Sequence, residues 1–148
     1  MARYASLALV LVVGGGLLLG AVNTPGEWYL SLEKPAFNPP SWVFGPVWTA
    51  LYVLIAIAGW RTWRQSPRGT AMRLWWAQLA LNFLWTPVFF SAHMIGLALT
   101  IILALFVTIC GFVITVRHED RLSAWLFAPY ALWVAFAALL NGAILLMN

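Results

Sequence analysis

Gln78, Asn82 and Thr86 stand four residues apart, so on a helix they share one face, with Trp85 and Phe89 beside them. Amide, hydroxyl and aromatic groups at such spacing point to binding, by directed hydrogen bonds and ring stacking, and not to proton transfer. For Gln78 a second role is open, since buried amides also tie helices together. Trp48 and Tyr52, one helical turn apart, and Trp133 and Ala137, another such pair, extend the same lining. Together these side chains suit a large, flat, apolar ligand with a polar rim. General acid–base work needs a carboxylate or histidine within reach of the ligand, and none interrupts the long apolar runs. Glu27, Glu33 and Lys34 border a loop, while His93 and His118 sit in turns at opposite ends of the apolar run 94–116. His93 reads as a solvated turn histidine before a haem ligand. No metal-ligand spacing, phosphate-binding glycine loop or nucleophile triad occurs.

The elements that must carry these residues follow from composition. The 148 residues are 64% hydrophobic and 8% charged, with mean hydropathy +0.89. Soluble domains carry roughly 25% charged residues, so the composition implies a single-domain integral membrane protein. About 20 apolar residues cross a bilayer core, and five such runs are predicted, at about 4–22, 46–63, 71–90, 94–116 and 123–147. The fold class expected is an all-α bundle of five transmembrane helices. The first run resembles a signal peptide only weakly and reads as a retained span, with Gly16 and Gly20 in a GxxxG pair for close helix packing. Gly96, Thr100, Ala104 and Thr108 form a second small-residue stripe. Cys110 stands alone and forms no intrachain disulfide. Arg3, Arg61, Arg64, Arg68, Arg73, Arg117 and Arg121 fall on one side of this arrangement and Lys34 on the other. The positive-inside rule then puts the N-terminus in the cytoplasm and the C-terminus opposite. Orientation and lipid phosphate contacts account for the net charge of +4, which gives no reason to expect nucleic-acid binding.

Between the first two runs lies a segment, 23–45, that cannot be one regular helix. Pro35, Pro39, Pro40 and Pro46 remove backbone donors and hold the preceding residues extended. Yet it carries Trp28, Tyr29, Phe37, Trp42 and Phe44, too many rings for a solvated linker. It reads as a stiff aromatic lid folded over the bundle, the plainer alternative being an interfacial aromatic belt.

Several motifs occur in order. Trp28-Tyr-x-x-Leu-Glu-Lys-Pro35, Asn38-Pro-Pro-Ser-Trp42-Val-Phe and Val47-Trp-Thr-x-Leu-Tyr52 resemble the first-loop and second-helix signature of the TspO/translocator-protein family, also called tryptophan-rich sensory proteins or peripheral benzodiazepine receptors. Trp76-Ala-Gln-Leu-x-Leu-Asn82-x-x-Trp-Thr-Pro87-x-Phe-Phe90 is similar to its third helix. Pro129-Tyr-x-x-Trp133 with Leu140-Asn141 is similar to its fifth. The resemblance implies a five-helix bundle, often a homodimer, that binds porphyrins (protoporphyrin or haem) and benzodiazepine-type molecules beneath the first loop and requires no cofactor. It places Tyr29, Pro39, Trp48, Tyr52, Thr86, Phe89, Trp133 and Ala137 in the pocket. In some bacterial members a light- and oxygen-dependent breakdown of protoporphyrin is attributed to pocket tryptophans, here Trp48 and Trp133. Mitochondrial members carry a sterol-linked Leu–Tyr–Arg type motif after the fifth helix. This chain has Gly-Ala-Ile-Leu-Leu-Met-Asn there, without Tyr or Arg, which weakens a sterol role.

Four functions are consistent with these features. The first is a tetrapyrrole-binding sensor or transporter, and the second a photodegrading enzyme. A lipid or sterol carrier and a plain membrane scaffold complete the set. The absence of acid–base groups argues against hydrolysis and group transfer. It leaves photo-oxidation open, because there the porphyrin absorbs the light.

Overall fold

Apolar runs of this length leave the backbone no polar partner but itself, and they fold as helices. The computed structural model describes residues 7, 10–22, 28, 31–37 and 43–148. Among them are five α-helices and no strand: α1 (Gly15–Val22), α2 (Phe44–Gln65), α3 (Thr70–Thr86), α4 (Ile95–Val116) and α5 (Arg121–Met147). α1 packs on α2 and α3, α2 also on α3 and α5, and α4 lies against both α3 and α5. The interior is lined by one stripe from each long helix: Tyr52 and Ile55, Gln78 and Asn82, Ile102 and Ile109, Tyr130 and Val134. The exterior is apolar as well. Trp125, Leu132, Leu139 and Leu146 recur every seven residues along α5, and Leu132 is 74% and Leu146 89% exposed. α4 and α5 are both long and apolar enough to cross a membrane.

The helix ends differ from the predicted spans in ways that local chemistry explains. α1 is preceded by a π-helical turn, Val10–Gly14, where a regular helix was expected. The glycine run that follows resists a wider turn little, having no side chains to crowd. A Cβ at Gly16 would overlap the Tyr52 ring, so this glycine serves packing within the chain. α3 stops at Thr86 because Pro87 brings no N–H, and the chain continues as a second π-helical turn, Pro87–Ser91. There the Ala92 N–H donates to the Pro87 carbonyl at 2.9 Å. His93, with φ 58°, then turns the chain into α4.

α5 begins at Arg121, ahead of the span predicted from 123. Its cap is Asp120, whose carboxylate accepts from the Ser123 N–H at 3.4 Å. Its neighbours Arg117, Glu119 and Arg121 are exposed, but Asp120 is buried. Arg61 grips it bidentately, at 2.9 Å from Nη2 and 3.3 Å from Nε, and Gln65 Nε2 donates at 2.9 Å. The end of α2 is thereby tied to the start of α5. Burial pushes the Asp120 carboxyl up, but the bonds from Arg61, Ser123 and Gln65 outweigh it and hold it down at about 2. Because the folded value lies below the ordinary 3.8, the clasp stabilises fully above about pH 4. Its contribution, about 2 kcal/mol, should fade as pH drops from 4 to 2. The stability gap between wild type and Asp120→Asn, measured across that range, should close. A gap independent of pH would show that the carboxylate's charge contributes nothing.

Candidate functional site

The site grows from three helices that bring polar groups to mid-depth in the bundle. Tyr52 of α2 donates its hydroxyl to Asn82 Oδ1 of α3 at 2.9 Å. Asn82 Nδ2 donates to the Tyr130 oxygen of α5 at 2.7 Å, and the Tyr130 hydroxyl donates to Gln78 Oε1 at 2.8 Å. All four side chains are buried. Uncompensated polar groups at such depth are costly, so this chain of bonds fixes the relative rotation of three helices. It ends on Gln78 Nε2, which is buried without a hydrogen-bond partner among the described residues.

Toward the end that carries residues 28–37, aromatic rings replace the polar groups. Trp48 stacks on Tyr52 with centroids 5.6 Å apart. It meets Trp133 edge-on at 6.4 Å and Tyr130 at 6.5 Å. Trp133 in turn lies 5.6 Å from Phe136, one turn further along the same helix, and Phe136 lies 6.2 Å from Phe37 of the loop. A second arm runs through α3. The Trp85 indole N–H donates to Asn141 Oδ1 at 3.0 Å, and its ring lies 5.5 Å from Phe89. Phe89 meets loop residue Trp28 edge-on at 5.8 Å, and Trp28 stacks on His93 at 4.0 Å and an interplanar angle of 7°. The loop is held further by Asn148, whose side-chain amide bonds to both the N–H and the carbonyl of Glu33. Loop rings thus touch both arms of the aromatic cluster.

A cleft bordered by Trp85, Phe89, Ala137 and Asn141 holds about 20 Å³, room for a single water.

Of the residues singled out in sequence, Trp48, Tyr52, Asn82 and Trp133 come together in the first arm. Trp85, Phe89 and Ala137 come together in the second, joined to the first through Trp133 and Ala137, one turn apart on α5. Thr86 closes α3, half-buried. Tyr29 and Pro39 lie outside the described residues. Sequence reasoning missed Tyr130, the hub of the polar chain, and Phe136, the link to the loop. Both lie three residues from Trp133, and that i±3 spacing was the available signal. His93 is exposed, as a turn histidine should be, but its ring is stacked and not free.

Comparison with known sequences agrees with these features. The TspO/MBR family matches residues 7–147. A tryptophan-rich sensory protein of Cereibacter sphaeroides is 35% identical over 142 residues, covering 96% of this chain and 90% of that one. The tryptophan-rich protein TspO of Archaeoglobus fulgidus is 36% identical, with 97% and 95% covered. The human translocator protein is 33% identical, with 92% and 85% covered.

Proposed function

The chain belongs to the TspO/MBR family, a family of membrane-integral proteins, and from that premise we propose that it binds porphyrins and similar flat apolar ligands as a membrane sensor or transporter. In this reading all five helices span the bilayer, the arginine end faces the cytoplasm, and the loop is a lid. The observation that carries it is the double aromatic arm, Trp48–Trp133 and Trp85–Phe89, with loop rings packed onto both. Indole and phenyl faces hold a macrocycle by stacking and buried area, and Asn141 and Tyr52 offer polar contacts at its rim. Ligand pockets measure about 300–1,000 Å³, so a ligand seated in the cleft beside Ala137 would have to part its rings. The stacked Trp28–His93 pair and the Glu33–Asn148 bonds are contacts that can break and re-form without disturbing the mid-depth polar chain. The relatives' names, sensory protein and translocator protein, support sensing or transport over a scaffold role. Benzodiazepine-type molecules would enter the same space, and a homodimer is compatible with the apolar exterior.

A second reading, photodegradation of protoporphyrin, is favoured by one observation: the two indoles implicated by sequence lie 6.4 Å apart on one wall. Porphyrin would absorb the light and dioxygen would be the oxidant. Carriage of lipid or sterol is the third.

Thermal unfolding against a ligand panel separates these classes. Protoporphyrin IX at a hundred times its Kd should stabilise the protein by about 2.7 kcal/mol. A sterol at the same concentration should do nothing measurable. Stabilisation by sterol alone would replace the tetrapyrrole reading with the carrier reading.

A further inference from the structure

At the opposite end of the bundle lies a second cavity, unconnected with the aromatic arms. It is a groove of about 170 Å³ whose described walls are Leu7, Leu11, Trp60, Trp63, Met72 and the α3 pair Trp75 and Trp76. Its floor is formed at Gly59, where a Cβ would overlap the Trp75 ring. Trp75 is fixed, with its N–H donating to the Ile55 carbonyl at 2.9 Å and its ring edge-on to Trp76 at 4.8 Å. The groove is therefore a built feature, floored by a hydrogen-bonded indole that the glycine lets seat closely.

Its rim is cationic. The Arg64 guanidinium lies over the ring of Trp60 at 4.9 Å, which joins the apolar groove to a polar recess of about 180 Å³ lined by Arg61, Arg64 and Gln65. Arg61 and Gln65 are committed to Asp120. Arg64 has no carboxylate partner among the described residues, so its fork of donors is available to an anion. The Trp60 indole N–H, buried in the same wall, also lacks an acceptor among the described residues.

We propose that this groove binds an acidic phospholipid of the arginine-side leaflet, with an acyl chain along the indoles and the phosphate on Arg64. Charge complementarity selects the occupant. An apolar slot beside a guanidinium with no carboxylate partner among the described residues matches an anionic amphiphile, and basic pockets between helices on the cytoplasmic side are where such headgroups are held. Indoles at headgroup level suit the boundary between glycerol ester and chain. This site rests on the chain spanning the membrane and stands apart from whatever the aromatic arms bind, and no tetrapyrrole enters its test.

The test is native mass spectrometry of the purified full chain in detergent. Dioleoyl phosphatidylglycerol and dioleoyl phosphatidylcholine are added in equal amounts. Phosphatidylglycerol should be retained over phosphatidylcholine by about fivefold, and Arg64→Gln should bring the two to parity. Arg64 is exposed, so its replacement leaves the core intact. Arg117→Gln, which removes the same charge from an exposed position at the end of α4, should leave the preference in place. Excess glycerophosphoglycerol, the headgroup without chains, should displace none of the lipid. Equal retention of the two lipids overturns the proposal. So does an equal loss in Arg64→Gln and Arg117→Gln, which would mean general surface charge. Displacement by the headgroup alone overturns it too, since the groove would then hold no chain.

Discussion

Trp48→Ala and Trp133→Ala should each weaken protoporphyrin binding by about 2 kcal/mol, on the order of thirtyfold in affinity. Each indole forms a wall of the first arm, and the two meet edge-on at 6.4 Å. Truncation removes the stacking face and the apolar area together. Phe at either position keeps a π face and most of that area, so Trp48→Phe and Trp133→Phe should lose only a few-fold, consistent with the roughly 0.5–1.5 kcal/mol that an aromatic pair adds beyond burial. The Phe variants also separate a binder from a photodegrading enzyme. Phe lacks the indole N–H and oxidises far less readily. If indole chemistry breaks the macrocycle down, light-driven turnover should nearly vanish in either Phe variant while binding persists. If the protein only binds, bound porphyrin should bleach at one rate in wild type and both variants. Porphyrin absorbance under fixed light, normalised to the fraction bound, reads the difference.

Asn82→Leu should lower stability by about 1–3 kcal/mol and leave affinity per folded molecule within about threefold. Both ends of the Asn82 amide are already engaged, by Tyr52 at 2.9 Å and Tyr130 at 2.7 Å. Leucine matches the volume but strands the Tyr52 hydroxyl without an acceptor and removes one of the two bonds at Tyr130. Because this chain ties α2, α3 and α5 together at one depth, the loss falls on the whole bundle. The small change in affinity reflects looser support for the Trp48–Tyr52 stack. Chemical unfolding paired with porphyrin titration measures both quantities. Collapsed affinity at unchanged stability would mean that the amide contacts ligand directly and that the bonds to Tyr52 and Tyr130 are incidental.

The inward face of α3 was legible in sequence for a simple reason. Amides repeated every four residues in an apolar run have nowhere to go but the interior, and Gln78 and Asn82 are both buried there. Trp48 with Tyr52, and Trp133 with Ala137, were legible by the same turn-spacing argument. Tyr130 was not, because a tyrosine near a helix end reads equally well as an interfacial anchor. Only the distance to Gln78 and Asn82 from other helices identifies it as the hub. Gly16 signalled close helix approach, and it meets the Tyr52 ring of α2 within the chain. Asp120 was hidden by its charged neighbours, since burial there depends on Arg61, 59 residues earlier, reaching across from α2. The narrowness of the cleft beside Ala137 arises from side-chain packing between helices, which no local pattern encodes.

Amide hydrogen exchange across residues 28–44, with and without saturating protoporphyrin, tests the central claim most directly, because a ligand held beneath the loop must change what the loop touches. Exchange in the loop should slow by about tenfold as the Trp28, Phe37 and Glu33 contacts tighten over the bound ring, in keeping with roughly 1.4 kcal/mol of added local stability. Residues 61–70, at the arginine end, should exchange as before. Unchanged loop exchange at full porphyrin occupancy would contradict the account, leaving the aromatic segment as an interfacial belt and moving the ligand elsewhere on the bundle.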